Sequence, residues 1–302
     1  MLRATIGALA AALLCATALT GCASAGKTPG SGKPTVVAST DVWGSVAEAV
    51  AGDDARVTSV VTGSADPHSF SPAAGTVATI EDAALVVYNG GGYDAWIDGA
   101  LAGHRNIAVV DAYSLLDAAA VGEAAPANEH VFYELNTAKA VASRVADRLS
   151  EVDPDKATQY RSRATDFGRK ADAILGQEHA MRAAYPNTSV VATEPVAHYL
   201  LLAAGLTDKT PQGFSNAVEQ DTDPAPADIA AMLDLISRRE VAALMFNDQT
   251  VTGATRQIRD AARAAGVPVV EVTETLPATG EDYLAWQAAT AGRLDSALRE
   301  RR

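Results

Sequence analysis

The chain has 302 residues, 48% of them hydrophobic, and a formal net charge of −13 at pH 7. Such a surplus of acid argues against a nucleic-acid partner and suits a soluble binder of cations. The two cysteines, Cys15 and Cys22, both lie near the N-terminus, so the remainder of the chain can form neither a disulfide nor a thiolate metal site.

Arg3, an apolar run over residues 6–19 and small residues before a cysteine read as a secretory signal occupying residues 1–21. The run is short for a bilayer span, which needs about 20 apolar residues. Its ending, Leu19-Thr20-Gly21-Cys22, resembles the bacterial lipobox, and that resemblance implies cleavage before Cys22 and lipidation of its thiol. Removing residues 1–21 leaves 23 basic against 37 acidic side chains, a balance of −14. Residues 22–34 are rich in Gly, Ser and Pro without periodicity, the composition of a flexible lipidated tether.

From residue 35 the pattern alternates short β-branched runs with amphipathic helices. Residues 35–39 predict a strand, and residues 42–51 a helix with Val42, Val46 and Ala49 on one face, stopped by Gly52. Residues 57–61, 85–88 and 107–110 continue the strand series. The pattern pauses in an Ala-rich loop near residue 115, then resumes at residues 189–192, 241–246 and 267–272, with a helix from Gly253 to Gly266. Continuous apolar runs separated by helices suit parallel strands covered on both faces.

Between the two sets, residues 136–149 predict one helix. Asp153-Pro154, as N-cap and first helical residue, opens a second that runs to about residue 183. Its sparse apolar positions and charged surface predict a rigid connector. The expected fold is therefore α/β, with two lobes of mainly parallel sheet: residues 35–150, a connecting helix over 151–184, and residues 185–302. A single α/β domain with a helical insertion is the alternative.

Of the five histidines, His68 and His130 fall in loops just beyond strands of the first set, each beside an acid and near an aromatic. Loops after parallel strands are where such sheets place ligands. The segment Asp66-Pro67-His68-Ser69-Phe70-Ser71-Pro72 resembles the Asp-Pro-His-x-aromatic-x-Pro segment of the metal-binding solute receptors of bacterial manganese and zinc ABC importers, and the resemblance spans most of residues 35–300. It implies a metal site between the lobes with four ligands. His68 is the first. Glu129-His130-Val131-Phe132-Tyr133 is similar to the family's His-x-Trp segment and supplies His130, with Phe132 at the aromatic place and no Asp-Pro after it. Val190-Val191-Ala192-Thr193-Glu194, running on to Gly205-Leu206, puts Glu194 at the third position. Val267-Pro268-Val269-Val270 leads to Glu271 and Glu274, of which Glu274 lies past the strand end and is the expected fourth ligand. The chain departs from the family at Ser71, where an acid is usual, at Glu274, where Asp is usual, and over residues 118–128, which lack the histidine-rich loop of many zinc members.

Two imidazoles and two carboxylates make a nitrogen and oxygen shell that suits Mn, Fe, Co or Zn rather than Cu(I), and anionic oxygens favour the harder ions. The expected cargo is one divalent transition-metal ion, Mn²⁺ before Zn²⁺, and the resemblance implies delivery to a membrane permease and its cytoplasmic ATPase. The chain is expected to be an extracytoplasmic lipoprotein on the cell membrane and a monomer. An adhesin or a siderophore or cobalamin receptor of the same two-lobed plan is the alternative. A metallohydrolase would need an open coordination position, and neither His-Glu-x-x-His nor a nucleophile elbow is present, so no enzymatic role is expected. His198, four residues after Glu194, could support the site or sit half-exposed on a helix; Asn247-Asp248-Gln249 could line the cleft or serve as capping and turn residues. Asn89-Gly90-Gly91-Gly92 lacks the spacing of a phosphate loop and reads as a turn, and Trp43, Trp96 and Trp286 read as core.

Overall fold

Short runs dominated by Val, Leu and Ala build two separate sheets, each parallel throughout. The computed structural model describes residues 32–300 except Arg105 and Ala125, so the signal segment, Cys22 and most of the tether lie outside the described residues. The described residues from Lys33 on form one compact unit.

The first lobe runs β1 (Thr35–Thr40), α1 (Asp41–Ala51), β2 (Arg56–Val61), α2 (Ala74–Glu81), β3 (Leu85–Tyr88), α3 (Trp96–Leu101) and β4 (Ala108–Asp111). Its sheet has the order β2-β1-β3-β4, with Val36 of β1 in register with Val57 and Leu85. The Ala-rich segment after it is not a plain loop. It holds a single helical turn, α4 (Ala118–Val121), because Asp117 caps the amide of Ala120 at 3.1 Å and Gly122 closes the turn in the left-handed conformation.

Two long helices follow, α5 (Leu135–Val152) and α6 (Ala157–Ala184). Glu134 caps α5, its carboxylate accepting from the amides of Asn136 and Thr137 at the positive end of the helix dipole. Asp153-Pro154 does open the next segment, first as the tight turn Pro154–Lys156, after which 28 residues of α-helix span about 42 Å. The apolar residues of α6 are sparse but regularly placed: Tyr160, Ala164, Phe167, Ala171, Ile174 and Met181 share one buried face against α5 and the first and last helices of the chain.

The second lobe comprises β5 (Ser189–Ala192), α7 (His198–Ala203), β6 (Thr207–Asp208), α8 (Gln212–Glu219), α9 (Pro226–Ser237), β7 (Leu244–Asn247), α10 (Gly253–Ala265), β8 (Val269–Val272) and α11 (Tyr283–Glu300). Its sheet order, β6-β5-β7-β8, repeats that of the first lobe strand for strand. β7 begins later than its apolar run, at Leu244, although Ala242 and Ala243 already exchange backbone bonds with β5. α10 ends at Gly266, whose φ is 68°. Trp43 and Trp286 are fully buried, whereas Trp96 is half-buried against Phe70. Among the described residues, no helix is long and apolar enough to cross a membrane.

Glu178 interrupts the apolar face of α6. It is 1% exposed, its Oε1 has no hydrogen-bond partner among the described residues, and burial, with Glu134 adding repulsion, pushes its pKa to about 8. The folded state therefore holds a proton that the unfolded chain releases near pH 4.5, and stability falls as pH rises from there towards 8. Glu178→Gln should flatten that fall, raising the melting temperature at pH 8 while leaving it little changed at pH 4.5. Parallel thermal melts of the two proteins check this.

Candidate metal centre

In both lobes candidate side chains, His68 after β2, Glu194 after β5 and Glu274 after β8, sit beyond the C-terminal ends of parallel strands, where open α/β sheets form crevices. His68 lies in the loop between β2 and α2. Asp66 shapes that loop: its Oδ1 accepts from the His68 amide at 2.9 Å and its Oδ2 from the Ser69 hydroxyl at 2.6 Å. Phe70 then anchors the loop by packing on Trp96, ring centroids 5.0 Å apart. The Asp-Pro-His-x-aromatic segment is thus a self-bracing turn that presents one imidazole.

His130 precedes α5 and is 1% exposed. Asn128 Oδ1 accepts from its backbone amide at 2.9 Å and lies 3.1 Å from its Nδ1. A proton on Nδ1 completes that bond and leaves the Nε2 lone pair outward, where Nε2 has no hydrogen-bond partner among the described residues. His68 is arranged alike, with Nδ1 3.6 Å from Glu129 Oε1 and Nε2 turned inward. The glycine turn after β3 serves this assembly. Gly90, Gly91 and Gly92 have φ of 76°, 68° and 100°, and Asn89 beside them donates to the Glu129 carbonyl at 2.8 Å while accepting from Trp43 Nε1 at 3.1 Å. Tyr93, buried, packs edge-on against both imidazoles.

From the second lobe, Glu274 follows β8 and is buried, whereas Glu271 is exposed on the strand. Glu274 Oε2 lies 3.5 Å from His68 Nε2 and 3.8 Å from His130 Nε2, and has no hydrogen-bond partner among the described residues. These three residues form one group of converging ligand atoms. Glu194, at the end of β5, is one hydrogen bond removed: Asn247 Nδ2 donates both to Glu194 Oε2 and, at 2.8 Å, to Glu274 Oε1, and Thr250 Oγ1 donates to Glu194 Oε1. Asn247 therefore lines the site. Gln249 does too, accepting from the Glu274 amide at 2.6 Å and donating to the Gly63 carbonyl at 3.0 Å, which ties the second lobe to the loop that carries His68.

Glu219, at the end of α8, joins these groups although nothing in the sequence singles it out. Its Oε1 lies 3.5 Å from His130 Nε2 and 4.0 Å from His68 Nε2, and with His68 and Glu129 it forms a second converging group. The sequence signals it only as one more acid on an amphipathic helix. His198 instead pairs with Glu123 at 2.8 Å, His104 pairs with Glu81 at 3.1 Å, and His179 is exposed on α6.

The electrostatics are those of a crowded acidic pocket. Burial disfavours the His68 imidazolium, but Glu274, Glu129 and Glu219 together outweigh it and raise its pKa to about 9. Burial, only partly offset by Glu274, lowers His130 to about 4. Burial raises Glu194 to about 7 and Glu219 to about 8, with repulsion from Glu274 adding to both. Glu274 is also buried, yet the two histidines and Asn247 hold it below the usual carboxylate range. Protons thus balance the negative charge that a bound cation would otherwise neutralise.

Residues 36–297 match the family described as zinc-uptake complex component A, periplasmic. The chain belongs to that family. Among its relatives is the manganese-binding lipoprotein MntA of Halalkalibacterium halodurans, 24% identical over 218 residues that cover 72% of this chain and 71% of that one. The manganese ABC transporter substrate-binding lipoprotein PsaA of Streptococcus pneumoniae is 23% identical over 277 residues, 87% of each chain. The fold is that of the periplasmic zinc-binding protein TroA of Treponema pallidum, with a TM-score of 0.74 at 19% identity over 89% of this chain and 99% of that one.

Asn247 holds two carboxylates apart with one amide, so Asn247→Asp should replace a donor with a third negative charge. The variant is expected to melt below the wild type above pH 7 without metal, and to gain more from added Mn²⁺. Differential scanning calorimetry with and without the ion checks both.

Proposed function

We propose that the chain captures one divalent transition-metal ion outside the cytoplasm and hands it to an ABC importer, that is, to a membrane permease driven by a cytoplasmic ATPase. One observation carries the reading. Two imidazoles, one with its Nδ1 held by Asn128, turn their Nε2 atoms towards a shared buried carboxylate oxygen, and both His130 Nε2 and Glu274 Oε2 are left without a partner among the described residues. The relatives add to it, one named as manganese-binding and another as the substrate-binding lipoprotein of a manganese ABC transporter.

His68, His130, Glu194 and Glu274 are the proposed ligands. Glu194 joins by exchanging its bonds to Asn247 and Thr250 for the ion. Manganese is the favoured cargo, because carboxylates that bind through one or both oxygens support more than the four ligands zinc usually takes. Zinc follows closely, since it binds such shells more tightly in the Irving-Williams order. The lipid on Cys22 would hold a monomer at the outer face of the membrane through the tether of residues 22–34. Residues 35–150 and 185–302 are the two lobes of this reading and residues 151–184 the helix between them.

Titration of the metal-stripped chain with Mn²⁺ and Zn²⁺ tests it. The wild type should take up a single ion. His68→Ala should weaken binding by more than about 100-fold, beyond the ~10–100-fold usual when only a supporting group is lost. His104→Ala and His179→Ala should leave affinity within about twofold, the effect of remote surface changes being small. Equal losses in all three would place the site elsewhere.

A further inference from the structure

We infer that Glu219 is a direct ligand of the ion, a third carboxylate that α8 adds to the site and that favours manganese over zinc. The inference rests on the metal-receptor reading above. Its basis is the arrangement around the two imidazole nitrogens. His68 Nε2 lies 3.5 Å from Glu274 Oε2 and 4.0 Å from Glu219 Oε1; His130 Nε2 lies 3.8 Å and 3.5 Å from the same two atoms. Each nitrogen thus faces both carboxylates. None of the four separations is short enough for a good hydrogen bond, for which about 2.7–3.2 Å is usual. Two atoms each about 2.1 Å from one ion stand about 3.0 Å apart at a right angle and about 3.4 Å at a tetrahedral one, so a contraction of about 0.1–1.0 Å brings these atoms around a shared cation.

A cluster of acids alone would not point to a ligand. Here the second observation is His130, 1% exposed, with its unpartnered Nε2 aimed at Glu219. Glu219 is also held in place. Phe214 and Val218 bury the inner face of α8, and the chain leaves the helix through Asp221, in the left-handed conformation with φ of 52°. The Glu219 side chain is 20% exposed, so it stands at the mouth of the pocket rather than at its base. Both oxygens of Glu194 are bound by Asn247 and Thr250, whereas Glu219 pairs with Glu129 at the side of the His68 imidazole.

Three carboxylates and two imidazoles offer at least five donor atoms. That number exceeds the tetrahedral shell of structural zinc sites, and oxygen-rich shells suit Mn²⁺. Removing Glu219 should therefore cost manganese more than zinc.

The test uses metal-stripped full chain, with manganese and zinc affinities measured by competition against a chelating dye and the ligand count of bound Mn²⁺ by X-ray absorption. Glu219→Gln, close to isosteric, and Glu219→Ala should each weaken Mn²⁺ by more than about 100-fold and Zn²⁺ by less than about 10-fold, the larger loss exceeding that of a merely supporting group. The manganese shell should lose one oxygen. Unchanged manganese affinity, an equal fall for both metals, or an unchanged ligand count would overturn the inference. His68→Ala, measured alongside, separates the two failures: if it loses the metal and the Glu219 variants do not, only the role of Glu219 falls, and if it too retains the metal, the receptor reading falls with it.

Discussion

His130 Nε2 and Glu274 Oε2 lie 3.8 Å apart in the interior, each without a hydrogen-bond partner among the described residues. A buried polar atom left in that state costs about 1–3 kcal/mol, and more where charge is involved. Around them stand Glu194, Glu219 and Glu129, carboxylates whose protonation is favoured by burial, with repulsion from Glu274 adding to it. Such a pocket is a poor way to stabilise a protein and an effective way to hold a divalent cation, which satisfies the lone pairs and neutralises the acids together.

The rest of the molecule keeps those groups convergent. Both sheets use the same strand order, so each lobe directs the loops after its strands towards a crevice. α6 packs along α5, α1 and α11, joining the lobes through an apolar face broken only at Glu178 rather than through a free linker. At the crevice the two sides are stitched together. Asp41 accepts from the amides of both Gly63 and Leu276, and the Gly63 carbonyl accepts from Gln249 and Thr275. Those bonds connect the loop of His68 to the loop of Glu274 across the crevice.

Much of this was legible in the chain because its signals are local. The Val-rich runs of β3 and β5 match their apolar stretches residue for residue, Gly52 and Gly266 stop their helices, and Asp66-Pro67-His68 marks a loop whose bracing is written in the motif itself. What could not be read depends on convergence. β6 has only two residues, too few for a periodic signal, and α4 depends on a single capping aspartate. Asn247 and Gln249 read equally as cleft-lining or as turn residues until the strand end brings Asn247 beside two glutamates and Gln249 against the Glu274 amide. Glu219 is the clearest case: on an amphipathic helix an acid reads as solvated surface, and only the tertiary placement of α8 turns it towards two imidazoles.

A crystal structure of the manganese-soaked protein, with anomalous scattering collected to locate the ion, addresses the central claim most directly. One strong peak is expected between the lobes, within about 2.0–2.3 Å of the Nε2 atoms of His68 and His130 and of a Glu274 oxygen, distances usual for a first-row ion. A peak bound elsewhere, or no ordered ion between these three residues, would contradict it.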